Sequence, residues 1–330
     1  MSAPLKVVFL GSDPIARPLL DWMSGEGGAL ARVIAVFTQP DRPAGRGQGV
    51  RPNEIKTWAL GRGLPVFQPE KLTEDVRAQL AALQADVALV MAYGHILRDD
   101  FIATPRLGSL NLHASILPRY RGASPIQAAI AAGERETGVT LMRIVRRLDA
   151  GPVADAERVP IGPLETAADI EGRLAAACVP LLARAWPRLA DGSLSFVPQD
   201  ETAASYCRRL VKEDGFLDFR APAAVLAARI NGLFPWPSCA IAVEGAAVRV
   251  GLADALPAGA PKSEGTILGA DEAGLLVATG TGVLRMRRLQ RAGGRMLEAG
   301  EFLRGFPLAP GTKLESRPMP ELVSTSPAKK

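Results

Sequence analysis

Through its first 150 residues the chain alternates short apolar, β-branched runs with stretches of helical spacing. Lys6–Leu10 ends at Gly11, and Pro14–Met23 then carries apolar residues at helical intervals. Val33–Thr38, Asp86–Tyr93 (DVALVMAY) and Ser109–His113 (SLNLH) read as further strands, with Leu72–Leu83 and the alanine-rich Ala123–Ala132 as helices. A run apolar at almost every position, such as DVALVMAY, must be covered on both faces, as central parallel strands are. Parallel neighbours need a crossover, which a helix supplies. The alternation therefore predicts an α/β fold with a Rossmann-like, mostly parallel sheet.

Val139–Val145 extends the strand series, and Ala167–Ala190 reads as a long helix. Val197–Arg209 (VPQDETAASYCRR) then loses apolar periodicity. Beyond a helix around Ala223–Ile230, the runs CAIAV, AVRVG, GTILG, LLVAT and VLRMRRL follow one another at hairpin spacing, separated by Gly, Asp or Pro. Repeated short strands with turn residues predict a small C-terminal β-barrel, OB-like in type. A length of 330 residues suffices for two cores at roughly 100–200 residues each. The expected division is a catalytic domain over residues 1–200, a linker over 201–209, a β-barrel over 210–314 and a flexible tail over 315–330, where Pro, Ser and Lys dominate.

Several classes are excluded. No apolar run reaches the roughly 18 residues of a membrane span. The opening MSAPLKVVFLGSDP reads as a first buried strand rather than a signal peptide, so a cytoplasmic location is expected. Cys178, Cys207 and Cys239 lie too far apart for a CxxC motif or a disulfide framework. Two histidines leave no histidine-rich metal site, and no metal is expected. The first strand-to-helix turn, Gly11-Ser12-Asp13-Pro14, lacks the GxGxxG spacing of a dinucleotide site. Charge is uneven: residues 1–207 hold 22 Lys/Arg and 22 Asp/Glu, so the whole net +5 falls in the last third. That suits a polyanionic partner, and equally an arginine-rich composition throughout.

Open parallel sheets bind ligands outside the carboxyl ends of their strands. In Ser109–His113, Asn111 and His113 are two apart and project to one side. An amide beside an imidazole can stabilise an oxyanion and exchange a proton at one reacting centre. A histidine satisfied by backbone hydrogen bonds in a loop is the more usual reading of an isolated N-x-H. Asp149, in the turn Leu148-Asp149-Ala150-Gly151, is the carboxylate that follows the next strand, though Asp before Gly also simply forms turns. The loop Gln39–Gly49 (QPDRPAGRGQG) has two prolines, three glycines and two arginines, a composition that can order on a polyanion.

The stretch NLHASILPRYRG with LDAG downstream resembles the folate-dependent formyltransferases, whose core reads H-x-S-L-L-P with an upstream Asn and a downstream Asp. VVFLGSDPIARPLL, VFTQPDRPAGRGQG, DVALVMAYGHIL, KEDGFLDF and FPWP extend the resemblance over about residues 5–312. QPDRPAGRG and the basic C-terminal module point to the tRNA-modifying branch. The resemblance implies 10-formyltetrahydrofolate as cosubstrate, methionine-charged initiator tRNA as acceptor, no membrane partner and a monomer. By it, Asn111, His113 and Asp149 are catalytic, with Asn111 on the oxyanion, His113 assisting proton transfer and Asp149 orienting the imidazole. Tyr93, Ser115, Ile116, Leu117 and Pro118 are folate contacts by the same resemblance, and Arg42 and Arg46 are tRNA contacts; Arg285 and Arg287, two apart on one strand face, read as a phosphate-binding stripe for tRNA or equally as a solvated basic face. His95 stands where the family more often has Gln and is expected to line the pocket or support it. Arg146 and Arg147 replace acidic or Gly positions next to Asp149, and are expected to favour its ionised form if close. A glycinamide ribonucleotide or amino-sugar acceptor, or a non-catalytic RNA-binding relative, shares parts of this pattern.

Overall fold

The computed structural model describes residues 3–44, 49–243, 245–257 and 263–326. The chain divides into two compact units. The first is built from Met1–Arg121, Gly138–Val159 and Gly172–Ala203, the second from Gly122–Thr137, Pro160–Glu171 and Ala204–Lys330. Two short segments expected in the catalytic domain thus fold with the C-terminal one. The helix Pro125–Ala131 explains the first of them, since it packs on the helix Ala223–Leu233. The two backbones approach so closely that a Cβ on Gly232 would lie 2.4 Å from the Ala131 nitrogen.

A seven-stranded sheet has the order Val153–Pro160, Glu136–Arg143, Ser109–His113, Val87–Val90, Leu5–Leu10, Ala31–Phe37, Val66–Phe67. The last five of these strands pair in parallel. Glu136–Arg143 runs antiparallel to Ser109–His113, with Asn111 opposite Met142 and His113 opposite Thr140. Val7–Leu10 and Val87–Val90 are buried throughout, as their unbroken apolar character predicts. Phe37 and Phe101 meet edge to face within a cluster that also holds Val8, Leu10, Ala88, Val90 and Tyr93. The strand order reverses at Leu5–Leu10: its chain continues to Ala31–Phe37 on one side and returns as Val87–Val90 on the other. Such reversals open a crevice at the carboxyl edge of the sheet.

In the second unit, Cys239–Val243, Ala246–Leu256, Val283–Arg291, Leu275–Ala278 and Ile267–Ala270 form an antiparallel sheet in that order, with Leu297–Glu298 added on Val283–Arg291. Register shifts around Leu252 bend the long central strand, because a bulge adds a residue on one side of the ladder. The expected small barrel thus takes the form of a curled half-barrel. Leu226, Ile230 and Leu233 of the helix Ala223–Leu233 pack into its core with Val250, Leu284 and Met286.

Two expectations fail. The tail is docked over residues 315–326: Val323 and Ser324 pair antiparallel with Cys207 and Tyr206, and Leu322 is buried. Arg229 and Arg208 donate to the carbonyls of Pro320 and Glu321. Polar composition concealed this, because the backbone carbonyls and one leucine do the docking. The segment expected as a linker is also ordered: Glu201–Ala203 forms a 3-10 turn, and Tyr206 and Cys207 are the strand that the tail pairs with.

Candidate active site

At the carboxyl edge, three strand ends are tied together by one polar network. Thr38 Oγ1 donates to Asn53 Oδ1 and shares a hydrogen bond with the Ser12 hydroxyl (3.1 Å each), and the Gln39 N–H donates to Ser12 Oγ at 2.9 Å. Gln39 Nε2 donates to the Tyr93 carbonyl, and Asn53 Nδ2 to the Gln39 carbonyl. Gly11 is required here because any Cβ would fall 2.4 Å from the Met91 carbonyl oxygen. GSDP is therefore a close-approach turn, as its sequence suggested.

Ser109–His113 delivers Asn111 and His113 beside this edge. His113 is buried, and its Nε2 lies 2.8 Å from the Tyr120 carbonyl. A carbonyl only accepts, so Nε2 carries a proton and the exchangeable position is Nδ1. Nδ1 faces Asp149 Oδ2 at 3.7 Å, ion-pair range and longer than a direct hydrogen bond. The structure thus brings together the histidine and the carboxylate that lie 36 residues apart in sequence. It also places the tautomer-setting contact on Tyr120 rather than Asp149, which side-chain motifs alone gave no means of finding. The half-buried Asn111 makes no side-chain hydrogen bond among the described residues, which leaves its amide available.

Asp149 adopts φ +46°, and the loop that carries it is pinned to the end of Glu136–Arg143. Arg143 N–H donates to the Pro152 carbonyl, and a Cβ on Gly151 would fall 1.8 Å from the Arg143 carbonyl oxygen. Arg146 pairs with Asp99 at 3.9 Å and Arg147 with Glu201 at 2.6 Å. The charges expected to act on Asp149 are thus directed to other carboxylates.

The Ser115–Pro118 turn is placed differently from expectation. Ser115 is buried and its hydroxyl donates to the Arg119 carbonyl at 2.7 Å. Thr140 Oγ1 donates to the Ser115 carbonyl and accepts from the Leu117 N–H. Leu117 is buried, Ile116 and Pro118 are half-buried, and Ile116 lies over Gly138. Ser115 and Leu117 build the turn that shapes the site instead of presenting ligand groups. Tyr93 and His95 are better placed. Their rings lie 4.9 Å apart, and Tyr93 Oη and His95 Nε2 are buried with no partner among the described residues. Burial pushes the Tyr93 phenol upward, so it remains a donor. Burial also lowers the His95 pKa, and nearby Arg42 adds to this against a hydrogen bond to Pro69 that opposes it, which favours neutral His95. Ile96 and Leu148 are exposed large apolar side chains.

Residues 5–185 match the family described as formyl transferase, and residues 209–307 match its C-terminal domain. The chain belongs to the formyl transferase family. It is 40% identical over 316 residues to methionyl-tRNA formyltransferase of Aromatoleum aromaticum, spanning 96% of this chain and 98% of that one. Against methionyl-tRNA formyltransferase of Methylobacterium sp. it is 45% identical over 313 residues, 94% of this chain and 99% of that one. The fold is similar to an N-formyltransferase from Helicobacter canadensis crystallised with folinic acid and dTDP-3-aminofucose, with a TM-score of 0.64, 17% identity, and coverage of 86% and 99% of the two chains.

The remaining charged candidates of this formyltransferase divide. Arg42–Ala44 and Gly49–Arg51 pair as an antiparallel hairpin, so the QPDRPAGRG loop has structured arms. Arg42 stands directly opposite Arg51, and both are exposed. Like charges directly opposite are unfavourable unless an anion joins them, and Arg51 escaped the sequence reading because it lies just outside the motif. Arg46 lies outside the described residues. Arg285 and Arg287 do share a strand face, but that face is neutralised: Arg285 pairs with Asp254 and Asp271, and Arg287 with Asp254. Arg288 and Arg295 pair likewise with Glu298 and Glu301. The expected phosphate-binding stripe is an internal ion-pair network, because acids on the neighbouring strand and turn meet it. No helix among the described residues is long and apolar enough to cross a membrane.

Proposed function

We propose that this formyltransferase moves the formyl group of 10-formyltetrahydrofolate onto the α-amine of methionine esterified to initiator tRNA. The observation that carries the reading is the meeting of His113 Nδ1 and Asp149 Oδ2 at 3.7 Å, with the Asn111 amide on the same strand unpartnered among the described residues. Near-full-length identity of 40–45% to methionyl-tRNA formyltransferases supports the acceptor. Tyr93 Oη and His95 Nε2, unpartnered among the described residues and next in sequence to exposed Ile96, suit a flat folate ring with a polar edge and an apolar face.

The amine attacks the formyl carbon, and the carbonyl oxygen becomes a tetrahedral oxyanion. Asn111 donates to that oxygen. His113, fixed through Nε2 and protonated at Nδ1, adds positive charge and delivers a proton toward the leaving folate nitrogen. Asp149 holds the imidazolium by charge and takes up the proton lost by the amine. The paired cations Arg42 and Arg51 engage tRNA phosphate, and the C-terminal unit adds further tRNA surface. The enzyme acts as a cytoplasmic monomer. Transfer of labelled formyl to charged initiator tRNA tests the assignment: His113→Ala should lower kcat by about 10²–10⁴-fold while folate binding persists. Retention of wild-type turnover would sink it.

A further inference from the structure

Gln199, two residues beyond the Val153–Val197 bridge, joins parts of the first unit that are distant in sequence. Its Nε2 donates to the main-chain carbonyls of Asp149 at 2.8 Å and Gly151 at 2.7 Å. Its Oε1 accepts from Arg121 Nε at 3.1 Å and from a terminal guanidinium nitrogen at 2.8 Å. Both protons and both lone pairs of the carboxamide are engaged, which leaves it a single orientation. Arg121 is fully buried and also forks onto Glu201 at 3.0 and 3.1 Å. Arg147 donates to the same carboxylate, and the two arginines hold the Glu201 carboxyl down at about 2. On its other side Arg121 follows Tyr120, whose carbonyl fixes His113, and Tyr120 itself has φ +59°. One polar chain therefore runs from the carbonyl that orients the histidine to the two carbonyls that flank the carboxylate.

We propose that Gln199, held by Arg121, is a positioning residue that keeps Asp149 at its working distance from His113. This rests on the reading of Asp149 as the partner of His113 in formyl transfer. A residue other than glycine keeps φ near +46° only when its surroundings impose it. Gln199 supplies that constraint by gripping the carbonyl of Asp149 and the one two residues on. Docking of the segment does not require it, because the two bonds between Val153 and Val197 already attach the chain there.

Gln199→Glu keeps the side-chain shape and the Arg121 contact but turns lone pairs toward both carbonyls. In steady-state formyl transfer, kcat should fall about 100-fold while KM for folate and tRNA holds. In an Asp149→Asn background the same change should have less than about a three-fold effect, because the group being positioned is gone. Full multiplication of the two losses, or unchanged kcat in the single variant, would overturn the proposal. Wild-type turnover of Asp149→Asn alone would instead overturn the reading of Asp149, and that arm needs no Gln199 variant. If near-UV circular dichroism shows Gln199→Glu to be misfolded, Gln199→Met enters the same cycle with the same expected outcomes.

Discussion

At the scale of single residues, the proposed catalysis turns on groups whose hydrogen-bonding capacity is either fixed or left open. His113 is fixed at Nε2 by a carbonyl, while the Asn111 amide has no partner among the described residues. Asn111→Ala should therefore lower kcat about 10²–10³-fold, as loss of an oxyanion donor does, with a melting temperature close to wild type. Gly151→Ala should do the opposite to the balance, since its Cβ would collide with the Arg143 carbonyl. Both thermal stability and kcat should fall, and an Ala variant with wild-type values of each would contradict the packing described. Asn111 and His113 were legible as neighbours from the strand's period of two, and Asp149 joined them only through the family resemblance. Tyr120 and Gln199 were not legible. The first acts through its main-chain carbonyl, and the second through an amide brought in by a segment without periodicity.

At the scale of elements, strands and helices were the most readable feature. Ser109–His113 is one strand over the residues its alternation marks, and Ala167–Ala190 is one helix. What the pattern could not supply was which acids face which arginines. The Val283–Arg291 strand carries Arg285 and Arg287 on one face as expected, yet Asp254 lies on the adjacent strand at the register that meets them. The Arg42–Ala44 and Gly49–Arg51 hairpin instead sets two arginines side by side. Arg42→Ala and Arg51→Ala should each raise KM for tRNA and reduce its salt dependence, leaving folate affinity unchanged. Tyr93 and His95 belong to this scale too. A strand end leaves both with buried polar atoms that no described residue satisfies, whereas the neighbouring Ser115 turn satisfies itself.

At the scale of the whole molecule, two units share one chain that passes between them repeatedly. A boundary read along the sequence places a single division near residue 200, because composition changes there, and short excursions such as 122–137 carry no compositional mark. The tail shows the same limit: Arg229 is buried and donates to Pro320, and Leu322 is buried, although the segment is polar overall. Removing residues 315–330 should destabilise the second unit by on the order of 3 kcal/mol, because the buried Arg229 guanidinium loses one of its two carbonyl acceptors. Calorimetry of the shortened chain checks this, and an unchanged melting profile would contradict the docking. The central claim concerns the acceptor. Its most direct test is transfer of radiolabelled formyl from 10-formyltetrahydrofolate to methionine-charged initiator tRNA, beside uncharged tRNA, charged elongator tRNA and glycinamide ribonucleotide. Label confined to the charged initiator is the predicted result; label on glycinamide ribonucleotide, or none on charged tRNA with folate bound, would contradict it.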